Sequence, residues 1–99
     1  MLAIYTLVSN LDQAKKIARA LVSEKLAACA NIMPNISSTY MWEGELQEES
    51  EVAMLLKTSS KLKSKLLKRL RDLHPYDVPA ILNTSIECNS DYEKWIENL

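Results

Sequence analysis

An α+β fold of the ferredoxin-like kind is predicted for this 99-residue chain, on three observations. Hydrophobic spacing switches between strand and helix periods in the order β-α-β-β-α-β-α. The only glycine, Gly44, separates two long β-capable runs, which marks a hairpin. Two right-handed β-α-β units joined by that hairpin bring both main helices onto one face of an antiparallel sheet. The whole chain, residues 1–99, reads as a single domain. It is large enough for a two-layer core and small enough that oligomerisation would help bury surface. With 47% hydrophobic residues and no phenylalanine, most of it should lie in regular elements.

Leu2 to Val8 is a short apolar run suited to a buried strand. Asn10 can cap a helix, with Gln13 completing a capping-box pattern three residues on. Leu11, Ala14, Ile17, Ala18, Leu21 and Leu26 recur at helical spacing, so the first helix ends near Lys25. Ala27 to Trp42 becomes strand-like, with Ile32, Pro34, Ile36, Ser38, Tyr40 and Trp42 expected on one face and Met33, Ser37 and Met41 on the other. Pro34 has no N–H for a ladder, so a bulge, bend or local edge is expected there. Trp42 to Glu45 forms the hairpin tip, and Gly44 enters positive φ without steric cost. The return strand covers about Gln47 to Thr58.

Ser59 or Ser60 is expected to cap a second helix with a Leu62, Leu66, Leu70 and Leu73 stripe. Ala80 to Glu87 supplies the fourth strand. Ser90 or Asp91 caps a short C-terminal helix carrying Tyr92, Trp95, Ile96 and Leu99. The second face of the sheet needs cover, for which Met33, Met41, Met54 and the long hairpin are candidates, within the chain or against a neighbouring copy.

The net charge of −1 exerts no global attraction for nucleic acid or an anionic membrane. Seven of the 12 Lys and Arg residues lie between Lys57 and Arg71, with no interleaved aromatics for base stacking, and this reads as a solvated helix face. Leu2 to Val8 lacks a basic leader, and no apolar run approaches the length of a membrane span. Cys29 and Cys88 lie far apart without CxxC spacing. Two reduced, buried thiols in a cytoplasmic protein are expected.

Leu73-His74-Pro75-Tyr76-Asp77-Val78-Pro79 holds the only histidine and two of the three prolines. Each proline fixes its own φ and pushes its predecessor toward extended geometry, so the connector is stiff. Two readings stay open: a helix stop with a strand entry, or a binding corner presenting His74, Tyr76 and Asp77. Glu51 and Lys57 share a face parity on the return strand. They either dip into water at an edge or point with His74 and Tyr76 into a polar pocket between subunits. The single glycine excludes a glycine-rich phosphate loop. A closed zinc site lacks its fourth N or S ligand, because only Cys29, Cys88 and His74 are available. Enzymatic use of His74 as acid or base has no identifiable nucleophile beside it.

Five motifs in order resemble the CutA divalent-cation-tolerance family over essentially the full length. They are Glu24-Lys25-Leu26-Ala27-Ala28-Cys29-Ala30-Asn31, Ser38-Thr39-Tyr40-Met41-Trp42-Glu43-Gly44, Glu51-Val52 through Leu56-Lys57-Thr58, Leu73 to Pro79, and Asp91-Tyr92 with Trp95. The resemblance implies a homotrimer of ferredoxin-like subunits, similar in architecture to PII signalling proteins. It implies inter-subunit clefts lined by Trp42, Glu51, Lys57, His74 and Tyr76, a cytoplasmic location and no settled enzymatic activity, so no enzyme is expected. A link to copper and other divalent cations is also implied, with His74 the metal-ligand candidate. Some relatives carry a cysteine and a second histidine where this chain has Thr6 and Leu73, so copper binding is expected to be weak. The alternative is a PII-like signalling or scaffold trimer that holds a small anionic molecule, with Lys57 and His74 as donors.

Overall fold

The computed structural model describes all of the chain, Met1–Leu99. Its elements are β1 (Leu2–Val8), α1 (Leu11–Ser23), β2 (Cys29–Trp42), β3 (Glu45–Thr58), α2 (Lys63–Leu73), β4 (Ile81–Ser85) and α3 (Ser90–Glu97). The four strands form one antiparallel sheet in the order β2-β3-β1-β4, the expected ferredoxin-like arrangement. In β1, buried Leu2, Ile4, Thr6 and Val8 alternate with half-buried residues, as the two-residue period of a strand requires. Ile4 and Val8 meet Val52, Met54 and Leu56 of β3 in one cluster with Ile17 and Leu21 of α1 and Leu66 and Leu70 of α2. Both long helices therefore cover the same face. No helix is long and apolar enough to cross a membrane.

The expected cap of α1 is present. Asn10 Oδ1 accepts the Gln13 N–H at 2.9 Å, while Gln13 Oε1 reaches back to the Ser9 N–H at 3.0 Å. The helix ends with Lys25 in the left-handed region at φ 62°. The Lys25 N–H then bonds Val22 O and the Leu26 N–H bonds Leu21 O, a Schellman closure that satisfies two terminal carbonyls.

Pro34 introduces the expected irregularity, with a consequence for every residue after it. The β2–β3 register shifts between Met33, opposite Ala53, and Ile36, opposite Glu51, and Asn35 takes φ 63°. Pro34 and Asn35 together face Val52 alone, so the strand gains one residue and its parity reverses. Ile32 pairs with Met54 on the helix-covered face, whereas Ile36, Ser38, Tyr40 and Trp42 pair with Glu51, Glu49, Gln47 and Glu45. The single face expected for Ile32 through Trp42 is thus divided at the bulge.

Beyond the bulge, β2 and β3 run on as a two-stranded ribbon. β1 pairs only with Val52–Thr58, so residues 45–51 of β3 have β2 as their sole partner. The ribbon stretches the molecule to 45 × 23 × 22 Å. Its tip is a two-residue turn with Glu43 at φ 50° and Gly44 at φ 81°, the pair of positive φ values that suits the twist of a hairpin.

Several expectations are corrected. Neither Ser59 nor Ser60 caps α2 through its side chain; a 3-10 turn over Ser60–Leu62 precedes the helix instead. Ser59 Oγ donates to Glu97 Oε2 at 2.9 Å, which ties α3 to the end of β3. Neither Ser90 nor Asp91 is the cap of α3, which begins after Asn89. The fourth strand is limited to Ile81–Ser85. Met54 belongs to the core and covers nothing on the second face. Cys29 and Cys88 are unpaired, as expected, but half-buried rather than buried.

Candidate functional site

α2 ends because His74 precedes Pro75. The His74 N–H still closes onto Leu70 O at 2.9 Å, while its ψ of 130° is already extended. The chain then crosses the end of the sheet and enters β4. The crossing brings the His74 ring against β1 and the Tyr76 ring against β3. The two rings meet edge to face at 4.9 Å between centroids.

His74 is 8% exposed and both ring nitrogens are occupied. Nε2 lies 2.9 Å from Leu7 O and 3.1 Å from Thr6 Oγ1, whose own proton goes to Ala80 O at 2.7 Å. Leu7 O can only accept, so Nε2 carries the hydrogen and donates. Nδ1 accepts the Tyr76 N–H at 3.2 Å. This is a neutral imidazole used as a clamp between β1 and the connector. Burial pushes its pKa below the ordinary histidine value, because the charged form would lose hydration.

Tyr76 continues the network. Its hydroxyl donates to Glu51 Oε2 at 2.8 Å and accepts from Ser9 Oγ at 3.1 Å. Burial, reinforced by the hydrogen bond to Glu51, pushes the phenol up to about 12. One pair further along the ribbon, Tyr40 donates to Glu49 Oε2 at 2.9 Å, and that bond raises the Tyr40 pKa. These groups line an open cleft of about 790 Å³ together with Trp42, Gln47, Asp77 and the edges of Leu7, Val78 and Ala80. That volume falls within the range of small-molecule sites.

Trp42, Glu51 and Tyr76 from the expected set meet in this cleft. His74 stands behind Tyr76 and is not on the lining. Lys57 is elsewhere. It lies six residues along β3 from Glu51, roughly 20 Å at the strand rise, with Nζ 5.4 Å from the centroid of the Tyr92 ring. Within one chain, therefore, Lys57 does not reach the cleft that Glu51 and Tyr76 line. Sequence reasoning missed Ser9, Tyr40 and Glu49 as site residues. Glu49 carried a signal, since it shares strand parity with Glu51. Tyr40 did not, because its side of the ribbon depends on the bulge.

No three His, Cys, Asp or Glu side chains converge closely enough to hold a metal ion. Thr6 and Leu73 stand beside His74 as a hydrogen-bonded hydroxyl and an apolar side chain. A tight copper centre does not fit these residues within one chain.

Residues 2–99 match the family model described as CutA1 divalent ion tolerance protein. The chain is 44% identical over 90 residues to the divalent-cation tolerance protein CutA of Thermus thermophilus, covering 90% of this chain and 87% of that one. The crystal structure of CutA1 from Pyrococcus horikoshii superposes with a TM-score of 0.94 at 38% identity, covering 99% and 96% of the two chains. A structure described as the periplasmic divalent cation tolerance protein CutA from Archaeoglobus fulgidus gives 0.92 at 35% identity, covering 99% and 97%.

Proposed function

The chain belongs to the CutA1 divalent ion tolerance family, and on that premise we propose that it serves divalent-cation tolerance by binding rather than by catalysis, as a homotrimer with ligand-holding clefts at its subunit boundaries. The observation that carries this reading is the ribbon of residues 36–51. A two-stranded ribbon is marginal in water, and this one exposes Trp42, Met41 and Leu46, each more than half accessible. On the sheet face away from the helices, Leu82, Tyr5 and Leu55 form a row across β4, β1 and β3, with Leu82 60% exposed. A neighbouring copy that seats on the ribbon and this face would bury both, and would narrow the cleft that opens beside them.

A binding role fits the chemistry at hand. The one imidazole is spent on a structural clamp, and the Thr6 hydroxyl beside it gives its own proton to Ala80 O rather than to the ring. Copper coordination at His74 would have to displace the Tyr76 N–H from Nδ1 or the proton from Nε2, so it is weak in a single subunit. The anion-binding alternative would need its positive side chains from a neighbouring subunit, since the lining within one chain contains Glu49, Glu51 and Asp77 and neither lysine nor arginine. A cytoplasmic location is proposed from the two unpaired thiols, and cell fractionation tests it. Light scattering at micromolar concentration tests the assembly. A mass three times that of the 11.2 kDa chain is expected, and a monomer mass overturns the reading.

A further inference from the structure

The net charge of −1 conceals a separation of sign. Residues 11–25 and 60–73, the two-helix layer with its flanking turns, carry ten basic and three acidic side chains, a balance of +7. The remaining residues carry two basic and ten acidic ones, a balance of −8. Ile17 and Leu21 of α1 and Leu66 and Leu70 of α2 turn toward the sheet, which sends the charged positions outward. Nine of the ten basic side chains are exposed. Arg69 is half-buried and is held by Glu24 in the one salt bridge within the chain.

The spacing works against the helices that carry it. Lys61, Lys65 and Lys68 form a stripe opposite Leu66 and Leu70. Lys65 has like charges three and four residues on, at Lys68 and Arg69, and Lys15 has Arg19 four residues on. Like charges at these spacings repel and weaken a helix. A face selected for stability alone would intersperse its signs.

The same layer restricts what can cover it. It contains no aromatic side chain, so nucleic-acid bases find nothing to stack on. The large apolar side chains it exposes are Leu11 and Val22, at opposite ends of α1, too few and too far apart to enter a bilayer. Seven of the nine unpaired cations are lysines, point charges without the planar fork that reads base edges. What remains is a surface that recognises closely spaced negative charge. The assembly proposed above uses the ribbon and the opposite sheet face, which leaves this layer open.

We propose that the two-helix layer is a docking face for a linear polyphosphate chain, whose phosphates run along the Lys61, Lys65 and Lys68 stripe and reach the basic side chains of α1. A flexible chain long enough to visit the layers of several subunits gains avidity from each.

Fluorescence anisotropy of end-labelled linear polyphosphate titrated with the full chain tests this, with duplex DNA and phosphatidylglycerol vesicles as comparison ligands. Saturable binding of polyphosphate is expected, with log K falling against log salt at a slope of about −3 or steeper, as four or more phosphate contacts require. Lys65→Glu and Lys68→Glu should each weaken binding about tenfold and make the slope shallower by about one. Lys94→Glu makes the same change in net charge at an exposed residue of α3, outside the layer. Its effect at physiological salt should stay within about twofold, because screening confines the field to nearby charges. All three positions are exposed on helices and glutamate is a good helix former, so folding is retained. No polyphosphate binding at low salt, an equal loss in Lys94→Glu, no loss in either layer variant, or tighter binding of DNA or vesicles at equal phosphate concentration each overturns the proposal.

Discussion

The Tyr76 hydroxyl donates to Glu51 Oε2 at 2.8 Å, joining the connector before β4 to the centre of β3. Residues 25 positions apart in sequence are thereby held across the mouth of the cleft. Tyr76→Phe leaves a nearly buried carboxylate with no protein donor and should destabilise the fold by about 1–3 kcal/mol, measured by urea unfolding. The same bond predicts alkaline behaviour. The folded phenol titrates near 12 against about 10 when unfolded, so the folded state holds its proton longer. That stabilisation is complete below pH 10 and is lost as pH rises from 10 toward 12. Ultraviolet titration should show a tyrosinate that forms only near pH 12 and is absent in Tyr76→Phe.

On the acid side His74 governs a second transition. Its folded pKa lies below the unfolded value of about 6.5, so the unfolded chain binds the extra proton first. Stability is then full above pH 6.5 and declines as pH falls from 6.5 toward the folded pKa. Protonation at Nδ1 also turns the acceptor for the Tyr76 N–H into a donor. His74→Ala should flatten this part of the pH profile and cost about 2–3 kcal/mol at neutral pH, because Leu7 O and the Tyr76 N–H lose their partner. An unchanged profile in the variant would assign the acid transition to other groups.

The hairpin tip should be open to improvement at Glu43 and resistant at Gly44. Glu43 occupies φ 50° with a side chain poorly suited to it, and Glu43→Asn is expected to raise stability by about 0.5–1 kcal/mol. A Cβ at Gly44 would meet nothing within 4 Å, so Gly44→Val suffers backbone strain at φ 81° alone. The expected loss is about 1–2 kcal/mol. Thermal melts of the two variants should move in opposite directions.

Trp42 is 52% exposed in the single chain, which makes it the natural reporter of assembly. Trp42→Ala should shift the oligomer toward smaller species with little effect on unfolding of the subunit. Native mass spectrometry across a dilution series reads the first effect and denaturant titration at high dilution reads the second. A variant that unfolds early yet assembles normally would place Trp42 in the subunit's own stability.

Most of the architecture was legible in the sequence, because it depends on short-range periodicity. Alternation in Leu2–Val8, the 3.6-residue stripes of α1 and α2, the Asn10 cap and the Gly44 tip are properties of neighbouring residues. An irregularity at Pro34, whether bulge, bend or local edge, was also visible, since a missing N–H is written in the residue itself. What pairing across strands decided was which way the bulge resolved. One inserted residue moved Tyr40 and Trp42 onto the face of Glu49 and Glu51, and local parity had assigned them with Ile32. Tertiary packing likewise decided the fate of His74. A histidine between a helix end and a proline looks the same in sequence whether it faces a ligand or clamps a strand. The carbonyl of Leu7, 67 residues away, made it a clamp. Lys57 and Glu51 share a strand and a face, but the strand rise sets them roughly 20 Å apart, so a single chain does not bring both to this cleft.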